Sequence, residues 1–75
     1  MLKPKELPAL ETGKQCRAAI KEIRKKTDWT LARLADYIDV NYETLRKVEK
    51  GYTKNPGEWL RGEIAQALVQ VRAMP

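Results

Sequence analysis

Tyr42, Glu43, Arg46, Lys47 and Lys50 fall on one side of a short helical pattern, and Leu45 and Val48 fall on the other. Side chains spaced three and four apart share a helical face. The polar set is therefore left for solvent or for a partner. Further along, Tyr52-Thr53-Lys54 combines two hydroxyls with a cation, the groups that bond phosphate oxygens. A solvated surface is the plain alternative for any short polar helix face. Here the segment follows a matching helix and turn inside a basic chain, and Tyr42 to Lys50 is read as the element that enters a DNA groove.

The remaining composition favours binding over bond-making. Fifteen Lys and Arg against ten Asp and Glu give a net charge of +5, a balance that attracts polyanions. Histidine, the commonest general base and metal ligand, is absent. The single cysteine, Cys16, has no companion for a disulfide or a metal site, and it falls where a buried, inert thiol fits the first helix. No loop of glycines is built to cradle a phosphate. An enzyme is not expected, nor is a cofactor, a metal or a small-molecule substrate. At 43% hydrophobic and 33% charged the chain should fold as one small domain. It has no apolar run of spanning length and no signal-peptide block, so a cytoplasmic protein with no membrane partner is expected.

Four helices should hold the polar face in place. Residues 1–11 carry two prolines and no helical period, which suggests an arm; its Leu2, Leu7 and Leu10 could pack back or meet a second subunit, and Lys3 and Lys5 could touch phosphate. The domain proper should cover residues 12–75. Thr12 and Gln15 have the form of a capping box, starting a helix at Gly13 that runs to about Lys26. Cys16, Ala19, Ile20 and Ile23 form its inner stripe; Lys14, Lys21, Lys25 and Lys26 face solvent, the last two close enough to flank DNA. Asp28, like Asp39, stands where positive φ is tolerated. Trp29 reads as a core anchor. Thr30 should cap a second helix carrying Leu31, Leu34, Ala35 and Ile38. Val40 plugs the turn, and Asn41 caps the polar helix. Gly51 suits a left-handed helix end. Asn55-Pro56-Gly57-Glu58 predicts a last helix with Asn55 as N-cap and Pro56 at its first position. Leu60, Ile64, Leu68 and Val71 line that helix inwardly, leaving Trp59 and Val69 off the stripe. The two middle helices and their three-residue turn, about residues 30–51, form a helix-turn-helix.

The ordered set from Ile20 to Leu68 resembles the Cro/repressor-type (lambda-repressor-like) helix-turn-helix family of phage and bacteria. Leu34, Ala35, Ile38, Val40, Leu45 and Val48 match its apolar positions, and Gly51 matches its glycine. The resemblance implies an all-α domain of four helices, or five, with a central helix-turn-helix. It also implies a structural ion pair between Arg24 and Glu49, and base contacts from Tyr42, Glu43 and Lys47. Lys47 can donate to guanine, Glu43 can accept from cytosine N4, and the Tyr42 ring can meet a thymine methyl. Arg46 could read a base or clamp a phosphate. Thr30, Arg33, Asn41, Lys50, Tyr52, Thr53 and Lys54 are the expected backbone contacts. Leu31 stands where the family usually has glutamine, and Asp39 where it usually has the turn glycine. Many members continue into a fifth helix that helps the dimer; with the chain stopping at Pro75, a dimer would use the last helix, the arm or both.

The function this resemblance implies is a sequence-specific regulator of double-stranded DNA, a phage or bacterial repressor bound as a homodimer to an inverted-repeat operator. The alternative is an antitoxin or regulatory adaptor whose main target is a partner protein, using the arm, Trp59 and Val69.

Overall fold

The computed structural model describes residue 8 and residues 10–74. Lys3, Lys5, Leu2 and Leu7 lie outside the described residues. Four helices follow in order: α1 (Gly13–Thr27), α2 (Leu31–Tyr37), α3 (Tyr42–Glu49) and α4 (Glu58–Arg72).

The first three helices are bounded by short-range chemistry. Thr12 and Gln15 close a capping box at α1: the Thr12 hydroxyl accepts from the Gln15 amide at 3.2 Å, and Gln15 Oε1 accepts from the Thr12 amide at 3.1 Å. Thr30 accepts from Arg33 N at 3.1 Å, and Asn41 Oδ1 from Glu43 N at 2.8 Å. Three left-handed residues end the first three helices: Asp28 (φ 60), Asp39 (φ 55) and Gly51 (φ 84). Behind them the last carbonyls are satisfied. Asp28 N donates to Arg24 O at 2.8 Å. After α2, Val40 N reaches Ala35 O and Asp39 N reaches Asp36 O; after α3, Tyr52 N reaches Lys47 O and Gly51 N reaches Val48 O. Both pairs have the 6→1 and 5→2 pattern of a Schellman closure.

Asn55 does not cap α4. The helix begins two residues later, at Glu58, with Gly57 at the cap position and no side-chain cap bond. Pro56 is buried just ahead of it. Its ring is used as packing rather than as the first residue of the helix, and this moves the start downstream.

The core joins Cys16, Ile20 and Ile23 of α1 to Ile64, Leu68 and Val71 of α4, with Leu34 of α2 and Leu45 and Val48 of α3 closing it from the side. Burial pushes the Cys16 thiol up, away from the reactive thiolate. Leu31 is also in the core. Val40, Trp29 and Leu10 are partly buried against it. Trp29 tilts against Tyr37 at a centroid distance of 4.8 Å, and Tyr37 Oη donates to Gln70 Oε1 at 2.7 Å, tying α2 to α4. Arg72 forks onto Glu22 at 2.6 and 2.9 Å, linking α4 to α1 across an exposed edge.

Candidate nucleic-acid interface

α3 has two anchors and one free face. Leu45 and Val48 are fully buried. Tyr42, Glu43, Lys47 and Lys50 are exposed and Arg46 is half-buried. Asn41 spends its Oδ1 on the helix cap, which leaves only its amide nitrogen to offer a phosphate.

Within the polar face the side chains are not equivalent. Glu43 and Arg46, one helical turn apart, hold each other: Arg46 Nε lies 3.1 Å from Oε1 and Nη2 lies 3.1 Å from Oε2. The Arg46 hydrogen bond holds the Glu43 carboxyl below the usual carboxylate range, and Glu43 in turn raises Arg46. A guanine could be read bidentately by Arg46 only after this fork opens. Lys47 enters none of the ion pairs among the described residues.

Beside this face runs a cleft of about 320 Å³ that brings Thr30, Tyr42, Arg46 and Lys50 together. Its wall holds Arg24 and Glu49, with Arg24 Nη1 2.7 Å from Glu49 Oε2. Arg24 Nε also donates to Trp29 O at 3.2 Å. One guanidinium thus fastens α1 to the α1–α2 link and to the end of α3, and it neutralises the carboxylate that ends α3. The Arg24 side chain is 36% exposed and that of Glu49 17%. Water reaches the pair, so breaking it costs less than the roughly 3–5 kcal/mol of a fully buried one. Arg24→Ala should cost about 1–2 kcal/mol, read as a lower urea midpoint at unchanged slope.

The expected backbone contacts outside α3 lie in separate places. Thr53 and Lys54 sit on the loop after α3, where Gly13 N donates to Lys54 O at 2.8 Å. They share a recess with Lys14 and Arg17 of α1. Tyr52 is 72% exposed on the same loop. Arg33 lies elsewhere, with its guanidinium carbon 5.8 Å from the centre of the Trp29 ring. Arg17 had no signal in the helical pattern, because a cation on the outer face of an amphipathic helix looks like any other.

A protein-family model described as helix-turn-helix, of the Cro/repressor type, matches residues 20–68, more than half of the chain. The chain belongs to this family. The match spans the second half of α1, the whole α2–turn–α3 unit and the first three quarters of α4. As a member, the chain is a DNA-binding regulator of the helix-turn-helix type. Comparison with curated proteins and with solved structures gives no match. Among the described residues no helix is long and apolar enough to cross a membrane.

Proposed function

We propose that this helix-turn-helix protein is a sequence-specific repressor that lays α3 in the major groove of double-stranded DNA and binds an inverted-repeat operator as a homodimer. One observation carries the reading. The face of α3 opposite Leu45 and Val48 presents Tyr42, Glu43, Arg46 and Lys47 side by side, with the chain's own packing confined to the other face. Lys47 is the cation available for guanine O6 and N7, Tyr42 offers its ring edge, and Glu43 with Arg46 offers one acceptor and one fork. Thr30, Asn41, Lys50, Tyr52, Thr53 and Lys54 flank them as phosphate contacts. Arg33 can join the set from its place over Trp29, because a guanidinium on an aromatic face keeps its N–H edge free. Lys50 and Lys54 neutralise phosphate whereas the hydroxyl and amide donors do not, so these contacts should give a log-log salt slope of roughly −2 per subunit.

One helix-turn-helix reads few base pairs, so a two-fold dimer with half-sites about 34 Å apart suits an operator of useful length. Selection from a randomised duplex pool tests all of this at once. A single palindromic site with that spacing is expected, and a pool that stays unenriched would overturn the reading. Lys47→Ala should cost about 1–3 kcal/mol at one base position and leave the others alone. An equal loss on every sequence would make Lys47 a phosphate contact.

A second reading, an adaptor whose main target is a partner protein, draws on Trp59, which is 63% exposed at the start of α4. Trp59→Ala that leaves operator binding intact while releasing a co-purifying protein would favour it.

A further inference from the structure

The recess between the first turns of α1 and the loop after α3 encloses about 360 Å³ and has a single sign of charge. Lys14 and Arg17 reach it from α1, Lys54 from the loop, and the hydroxyls of Thr12 and Thr53 lie among them. Among the described residues no carboxylate lines it. None of the three cations enters an ion pair with the described residues. The Thr12 oxygen already accepts from Gln15 N, which leaves its proton to donate. Arg17 Nη1 lies 3.8 Å from where a side chain on Gly51 would begin, so this guanidinium spans from α1 to the end of α3.

The recess is also held in register with the recognition face. Tyr52 N and Thr53 N both donate to Lys47 O, at 2.8 and 3.3 Å, which ties the loop to the turn of α3 that carries Lys47. The bond from Gly13 N to Lys54 O ties the same loop to α1. Backbone hydrogen bonds therefore run from Lys47 to the floor of the recess, and a duplex seated on α3 and the loop would meet Lys14 and Arg17 at a fixed offset.

We infer that Lys14 and Arg17 bind a backbone phosphate, so that the DNA footprint extends from the helix-turn-helix onto α1. The chemistry suits a tetrahedral oxyanion: a planar fork, two ammonium groups and hydroxyl donors, with no acid among the described residues that line it. The inference rests on the DNA-binding reading and adds a contact that the helix-turn-helix itself does not supply.

The test is the affinity of the full chain for a mixed-sequence duplex over a range of salt concentrations. Per bound subunit, the log-log slope should become shallower by about 0.9 for Lys14→Gln and again for Arg17→Gln, with equal losses on specific and mixed sequences. Arg17→Lys should restore the slope. Thermal melts of each variant separate a lost contact from a lost fold, and the exposed Lys14 keeps the test open should Arg17→Gln unfold. A wild-type slope in folded Lys14→Gln and Arg17→Gln overturns the inference while leaving DNA binding in place. Wild-type protein that ignores every duplex in dilute buffer overturns the DNA-binding reading, and this inference with it. Saturable binding of inorganic phosphate that Arg17→Gln abolishes, with no change in the duplex slope, would assign the recess to a free anion and likewise overturn it.

Discussion

Gly13→Ala should destabilise the protein by about 3 kcal/mol, near the top of the range for forcing extra volume into a packed site. For a domain of this size that corresponds to a fall of roughly 12–24 °C in the melting midpoint. A Cβ on Gly13 would stand 2.1 Å from Thr53 O and 3.0 Å from Lys54 O. Both obstacles are backbone, so no rotamer change relieves them. To make room, α1 and the loop must part, which breaks the bond from Gly13 N to Lys54 O and opens the basic recess. The matched control is Gly62→Ala. Nothing lies within 4 Å of that Cβ, and Gly62 sits inside α4. Alanine there should stabilise by about 0.5–1 kcal/mol through helix propensity. Two melting curves check the pair, and a wild-type midpoint for Gly13→Ala would mean the loop does not press on α1.

Glu43→Gln should raise affinity for mixed-sequence DNA by about tenfold at low salt and make the salt slope steeper by about 0.9. The substitution removes the one carboxylate on the exposed face of α3 and releases Arg46 from its fork. Gain on a selected operator should be smaller, because the acceptor that favours cytosine is gone. The ratio of specific to mixed-sequence binding therefore falls even as raw affinity rises. Fluorescence anisotropy on the two duplexes reads both quantities. Unchanged binding to both would show that Glu43 and Arg46 lie outside the contact. Acidification acts in the same direction. Because Arg46 holds the Glu43 carboxyl below its ordinary range, the fork is kept through neutral and mildly acidic pH and lost only as pH falls through that lowered value. Between pH 6 and 8 this pair contributes no change in affinity.

Much of the architecture could be read in advance because it is decided within a few residues. Thr12 with Gln15, Thr30 and Asn41 cap helices from side chain to neighbouring amide, and Asp28, Asp39 and Gly51 end them by tolerating one backbone conformation. The inner stripes followed from spacing alone. What escaped was decided at long range or by a choice of rotamer. Asn55-Pro56 satisfies a local rule for starting a helix, but burial of Pro56 overrides it. The glycine requirement at Gly13 is set by a loop forty residues away, which no local pattern encodes. The ion pair between Glu43 and Arg46 depends on rotamers that residue spacing does not dictate.

The brevity of the middle helices limits how the DNA reader could be re-engineered. α2 and α3 have only seven and eight residues, below the roughly 12–15 at which an isolated helix holds in water. A synthetic peptide copying Thr30–Gly51 would be coil. Anyone grafting this specificity onto another scaffold would have to transplant α1 and α4 as well, or staple the excised loop covalently.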